Sequence, residues 1–429
     1  VIRPTFCACL YAATAAILGA QDAHSAGRCG NARPFRAPLA VNSPRVSALR
    51  KQIDEGNRSA VESFWAVLAQ TGTPLIEPPP GDACYSLVTF VWKGEPGTRN
   101  VAIVGGINGE EPAKNQMIHL ADTDVWYLTY EIRNDARFSY GLSPNDSLKS
   151  LVDPNRDSLV FKRDPLNARQ LSEAFSSYVE LPAAPAELNM PVAETNRGAL
   201  IQTTFTSTLL KNTRDVWIYT PAGFNPGRDR YPLLVLFDGF AYTGPAQVIL
   251  DNLIAEGRVP PLLAILVSNK NRNVELGCSA SYAEFLATEL VPWAREKYHA
   301  TTDAAQTIVA GSSLGGLGAS FAGFTHPEVF GNVLSMSGSY WWNPQDDLEP
   351  EWLTRQFARS PKRPVRLFVA IGLMEMKDRQ LATNRHFRDI LIAKGYSVEY
   401  REFNGAHSYL NWRGSLADGL LYLFGEKSF

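Results

Sequence analysis

A serine flanked by glycines at fixed spacing, Gly311-Ser312-Ser313-Leu314-Gly315, interrupts the chain at one abrupt change of pattern. Before it runs the apolar stretch Thr307-Ile308-Val309-Ala310. After it comes a small-residue helical pattern through Ala319, Phe321, Ala322 and Phe324. Strand, sharp turn and helix in that order would strain the turn and lift the Ser313 hydroxyl clear of a sheet as a nucleophile. The glycines two before and two after it are expected where neighbouring backbone leaves no room for a Cβ. The Leu314 N–H, at the helix start, would face the oxyanion formed when a carbonyl is attacked. The plainer alternative is a glycine turn used only for packing. The apolar strand that follows, Val333-Leu334-Ser335-Met336-Ser337, favours the chemical reading.

A serine hydroxyl is a weak nucleophile until a base takes its proton and an acid orients that base. This type of turn places them along the chain in the order Ser, acid, His. Three histidines follow Ser313. His326 closes the helix and His386 lies in a charged helical stretch. His407 sits in the loop Asn404-Gly405-Ala406-His407-Ser408, after a strand ending at Phe403, and is the expected base. The acid should follow the strand Val365 to Ile371, where Glu375 and Asp378 both qualify. Glu375 lies nearer the strand end and is favoured; the other would be a helix N-terminal acid. A second oxyanion donor is expected after the strand ending at Phe237, from Gly239 or Phe240, where a simple glycine turn is the alternative.

These residues need a scaffold, and the second half of the chain has the pattern for one. Leu200 to Leu209 and Val216 to Thr220 read as an opening antiparallel pair. Leu233 to Phe237, Leu262 to Val267, Thr307 to Ala310, Val333 to Ser337, Val365 to Ile371 and Val398 to Phe403 read as strands separated by helical stretches, among them Ser281 to Tyr298 and Gln380 to Lys394. Residues 198–429 therefore suit an α/β-hydrolase domain with a mostly parallel sheet covered on both faces. Upstream, Tyr85 to Trp92 and Val125 to Ile132 are rich in β-branched and aromatic residues and are bounded by turn clusters, which predicts a small β-sandwich over 84–142. Residues 26–83 form an N-terminal arm with one helix from Arg45 to Gln70. Residues 143–197 read as a connector with a short helical piece from Leu171 to Tyr178.

The chain has 429 residues, 45% hydrophobic and 20% charged, with a formal net charge of −2, so no global field recruits nucleic acid or anionic membrane. Arg3 precedes an apolar, alanine-rich run from Phe6 to Ala20, with small residues after it. Residues 1–25 thus read as an export signal too short to span a membrane, and the mature protein is expected in the periplasm. A buried N-terminal helix is the alternative. Cleavage removes Cys7 and Cys9 and leaves Cys29, Cys84 and Cys278, none at metal-ligand spacing. One of the three must stay unpaired. Cys29–Cys84, tying the arm to the next domain, is the favoured pair.

Taken together, five motifs resemble one family, the enterochelin (enterobactin) esterases. They are Asp238-Gly239, Asn271-Arg272-Asn273-Val274-Glu275-Leu276, Gly311 to Gly316, Ser337-Gly338-Ser339-Tyr340-Trp341-Trp342 and Gly405-Ala406-His407-Ser408-Tyr409-Leu410-Asn411-Trp412-Arg413. Ala406 departs from the second glycine that many members carry there, and the export signal resembles the periplasmic branch. The resemblance implies an N-terminal β-sandwich before the hydrolase domain. It also implies hydrolysis of the ester bonds of a cyclic tri-catecholate siderophore to release iron. No cofactor is implied, since iron enters only with the substrate. Ferric tri-catecholate is an aromatic trianion, which suits a cation and stacking surface. Arg272, Trp341, Trp342 and Trp412 are the candidate contacts, with core packing the alternative for each tryptophan. Two competing readings are a secreted feruloyl or acetyl esterase, whose sandwich would present a line of exposed aromatics to a glycan, and a non-catalytic ferric-siderophore binder, which would need no nucleophile.

Overall fold

In the computed structural model the described residues are Cys29, 33–36, 43–108, 111–151, 153, 155–156, 161–171, 176–185, 197–227 and 230–425. The expected export signal lies outside them. The chain divides into two compact units, Val1–Pro185 and Ala186–Phe429.

In the first unit, the β-branched and aromatic runs become strands Tyr85–Lys93 and Val125–Arg133, paired antiparallel from Tyr85↔Arg133 to Lys93↔Val125. They form the centre of one antiparallel sheet. Val101–Val104, Arg137–Pro144, Gln170–Leu171 and Ser176–Glu180 form a second. Phe90 of the first sheet meets Tyr140 of the second edge-to-face at 4.7 Å. The opposite face of the first sheet is covered by Val46, Leu49 and Leu68 of two helices, Pro44–Asp54 and Ala60–Thr71. Cover on both sides explains why these strands are buried throughout rather than on alternate residues.

Two expectations change here. The single N-terminal helix is broken in two, because the chain turns at Gly56 with φ +82°, a conformation that ends a helix. The stretch read as a connector mostly belongs to the N-terminal unit, and the described residues of its expected helical piece, Leu171 and 176–178, are strand. Ser176–Glu180 pairs with Arg137–Tyr140, and the buried Tyr140 hydroxyl donates to Asp164 at 2.6 Å. The Cys29–Cys84 disulfide is present, and Cys278 is a free thiol.

The second unit carries, among the described residues, an eight-stranded sheet. Its strands are β1 (Ala199–Ser207), β2 (Asn212–Thr220), β3 (Leu233–Phe237), β4 (Leu263–Val267), β5 (Thr307–Ser312), β6 (Asn332–Met336), β7 (Arg366–Gly372) and β8 (Ser397–Phe403), in spatial order 1-2-4-3-5-6-7-8. β1 and β2 join antiparallel, and β4 to β8 with β3 are parallel. Two apolar clusters cover the two faces. The strand order reverses at β3, between β4 and β5. At such a switch point loops diverge to opposite faces and leave a crevice beyond the carboxyl ends of the strands. The segments after β3 and β5 contain Asp238-Gly239 and Ser313. No described helix is long and apolar enough to cross a membrane.

Candidate active site

Ser313 follows β5 with φ 59° and ψ −123°, a backbone conformation that L residues rarely adopt. It is pinned on both sides: its N–H donates to the Met336 carbonyl at 2.9 Å, and its carbonyl accepts from Ser339 N–H at 3.0 Å. The glycines matter unequally. A Cβ on Gly311 would lie 2.5 Å from the Gly315 carbonyl carbon, and one on Gly316 would lie 2.6 Å from Ser335 Oγ. A Cβ on Gly315 would meet nothing closer than 3.5 Å. The close approach expected of the glycine two after the serine therefore belongs to the one three after it. Ser313 caps the helix Leu314–Thr325, so the Leu314 N–H has no acceptor within that helix.

His407 Nε2 lies 3.0 Å from Ser313 Oγ, and His407 Nδ1 lies 2.7 Å from Glu375 Oε2. The structure thus brings together the serine, the histidine and one of the two candidate carboxylates. Asp378 is exposed in the following turn, Lys377–Leu381. Glu375 is buried, and its second oxygen accepts from Gly372 N–H at 2.9 Å and from the Ser337 hydroxyl at 2.6 Å. Ser337 in turn accepts from Trp412 Nε1 at 2.9 Å. Trp412 also meets the His407 ring edge-on at 4.7 Å. His326 and His386 pair with surface glutamates, as their helical positions suggested.

Trp412 is therefore not a surface for ligand. It is buried at 4% exposure because its helix, Tyr409–Phe424, packs against the sheet, and it supports the acid. The part of Ser337 was missed in reading the sequence, although Ser337-Gly338-Ser339 stands out as a small-residue run. Its φ of 50° turns the chain off β6 beside the acid. Trp342 packs on the core, against Trp352 at 6.2 Å. Trp341 is half-buried, with Nε1 donating to Gln380 Oε1 at 2.7 Å.

On the other side of the serine, Asp238 adopts a left-handed conformation after β3 and is buried. Gly239 follows because a Cβ there would lie 2.7 Å from the Leu266 carbonyl carbon. Gly239 and Phe240 open a helix, so their N–H groups have no acceptor within it, and the Phe240 side chain is exposed. Arg272 carries a partner of its own. It is not an uncommitted cation: Nε and Nη2 each donate to Asp238 at 2.8 Å, and Nη2 reaches the Ser312 carbonyl at 3.2 Å. Burial works against its charge, but Asp238 more than compensates and holds the guanidinium above its ordinary pKa. Burial and the nearby Asp238 charge also push the Tyr409 hydroxyl up to about 12. Among the described residues no group of three or more His, Cys, Asp or Glu side chains is placed to hold a metal ion.

Comparison with known proteins adds two family matches. A model described as "Putative esterase" matches residues 207–423, and one described as "Enterochelin esterase, N-terminal" matches residues 87–190. The chain is 30% identical over 368 residues to the iron(III) enterobactin esterase of Escherichia coli O6:H1, covering 81% of this chain and 89% of that one. It is 29% identical over 432 residues to the iron(III) enterobactin esterase of Dickeya dadantii, covering 90% of this chain and 97% of that one. The crystal structure of the Shigella flexneri enterobactin esterase in the presence of enterobactin superposes with a TM-score of 0.68 at 27% identity, covering 84% of this chain and 97% of that one.

Proposed function

The chain belongs to the enterobactin esterase family, and from that premise we propose that it is a serine esterase cleaving the ester bonds of a tri-catecholate siderophore of the ferric enterobactin type, so that iron is released. The observation that carries the mechanism is the line Ser313–His407–Glu375, with both hydrogen bonds within 3.0 Å.

In this reading Ser313 Oγ attacks the ester carbonyl as His407 Nε2 takes its proton. The oxygen that becomes negative is stabilised by the Leu314 N–H and by an N–H of Gly239 or Phe240. Glu375, held by Gly372 and Ser337, keeps Nδ1–H of His407 oriented and stabilises the imidazolium. Collapse of the tetrahedral intermediate breaks the C–O bond, and His407 returns the proton to the leaving alkoxide. Water, activated by the same histidine, then hydrolyses the acyl-serine. No cofactor takes part, and iron is cargo.

We also propose that the protein works in the periplasm. The Cys29–Cys84 disulfide supports an oxidising compartment, as does the signal-like sequence before it. The glycan-esterase alternative called for a row of exposed aromatics on the sandwich. The large hydrophobic side chains most exposed in that unit, among the described residues, are Val67, Ile76 and Ile118, none aromatic. A pure binding protein has no use for an aligned nucleophile and base.

The test is chromatography of ferric and iron-free enterobactin after incubation with purified protein. Wild type should yield linear dihydroxybenzoyl-serine fragments. Ser313→Ala should lower the rate about 10⁴-fold or more while still binding the ferric siderophore. Intact siderophore after incubation with wild type would defeat the substrate assignment, and undiminished turnover by Ser313→Ala would defeat the nucleophile.

A further inference from the structure

With Arg272 engaged by Asp238, the cation that meets an anionic substrate has to be sought elsewhere on the rim. We propose that Arg379, stacked on Trp341, is that cation, and that the pair forms a subsite for a catecholate group of the iron-loaded siderophore. The proposal rests on the tri-catecholate reading above.

Several observations converge on it. The Arg379 guanidinium carbon lies 3.6 Å from the centre of the Trp341 ring, which is close stacking on the π face. Both residues are half-buried and so retain surface toward solvent. Among the described residues, ion pairs in this unit engage Arg214, Arg258, Arg272, Arg355, Arg385, Arg388 and Arg401, but not Arg379. No described carboxylate therefore forms a direct ion pair with its guanidinium.

The platform is also held firmly, and by a short stretch of chain it is joined to the residues around Ser313. Trp341 Nε1 donates to Gln380 Oε1, and Gln380 Nε2 donates inward to the Ser337 carbonyl at 2.5 Å and the Gly338 carbonyl at 3.1 Å. Ser337 holds the acid. Ser339, two residues before Trp341, has its hydroxyl 3.4 Å from Ser313 Oγ, and two residues of chain span at most about 7 Å. A π-helical turn, Lys377–Leu381, begins two residues after Glu375. It directs Gln380 into the fold and lays Arg379 over the indole. Such turns add a residue to a helix and recur at functional sites.

The chemistry selects the ligand. A guanidinium already backed by an indole presents its other face and its N–H edge. A planar ring bearing anionic oxygens can use both, by stacking and by charge-assisted hydrogen bonds. A neutral acyl ester gains little there. The subsite should therefore distinguish the ferric form, whose catechol oxygens carry negative charge, from the iron-free form, whose catechols are protonated near neutral pH.

The experiment compares wild type, Arg379→Ala and Arg379→Lys by tryptophan quenching with ferric and with iron-free enterobactin, and by turnover of p-nitrophenyl acetate. Arg379→Ala should weaken binding of the ferric form about tenfold, the low end for a charged hydrogen bond because the site is partly solvated. Binding of the iron-free form and turnover of the small ester should stay within about twofold of wild type. Arg379→Lys should restore only part of the loss, since an ammonium neither stacks nor offers a planar edge. Unchanged ferric binding, or equal loss for both forms, would overturn the subsite while leaving the esterase reading intact. Failure of wild type to cleave either form would remove the reading and the subsite together.

Discussion

Two buried carboxylates flank the reactive serine, and they have opposite partners. Asp238, at the carboxyl end of β3, faces a guanidinium that is charged at every physiological pH. Glu375, just beyond β7, faces an imidazole, a backbone N–H and a hydroxyl. The first arrangement cancels the carboxylate charge permanently, and through the Ser312 carbonyl it ties the turn carrying Gly239 to the end of β5. The second spreads the charge over neutral donors and leaves it able to stabilise a cation that exists only during the reaction. Similar side chains in similar burial are thus suited, on the proposed mechanism, to bracing or to supporting a base, according to whether their partner's charge is fixed or transient.

The widest separation between the two should come from Glu375→Gln. It should lower kcat about 10³–10⁴-fold, because an amide neither stabilises the imidazolium nor enforces the tautomer. Its thermal stability should stay close to wild type. Stopped assays and a melting curve on the same sample check both halves, and a large fall in Tm with modest loss of kcat would make Glu375 a brace as well.

Arg272→Ala should do the reverse. It strands the Asp238 charge and should cost about 2–3 kcal/mol of stability, below the value for a fully buried pair because 34% of the Arg272 side chain is exposed. Activity on large and small esters should fall together, since the oxyanion turn loosens for both. Adding Asp238→Asn should recover much of the Tm. If instead only ferric-siderophore binding suffers, Arg272 is a substrate contact and the comparison fails.

Ser337→Ala should lower kcat about tenfold with KM unchanged, as expected for one hydrogen bond to a charged group. A rise in KM alone would place Ser337 with the substrate. The smallest effect is expected at Asp378: Asp378→Asn should leave kcat within about twofold, since an exposed charge in a helix's first turn contributes only a few tenths of a kcal/mol.

Ser313 and His407 were legible because their signals are local: an apolar run broken by small residues, and a histidine just past the final strand of an alternating pattern. The strands after Gly198 were equally plain. What failed depended on distant partners. Ser177 and Tyr178 looked helical because their partners, Tyr140 and Ser139, lie in a strand well back along the chain. Glu375 and Asp378 share one loop and nearly one chemistry. The Gly372 N–H, the Ser337 hydroxyl and His407 hold the former inward.

Arg272 and Trp412 had the right types for a ligand contact, but Asp238 lies 34 residues from one and Ser337 75 from the other. Short-range pattern determined which elements form and where the nucleophile and base stand, since hydrophobic period and turn chemistry act within a few residues. Tertiary packing alone decided which charges are neutralised and which stay available. Desolvation and pairing depend on what the folded chain brings within about 3 Å, and sequence spacing carries no trace of that.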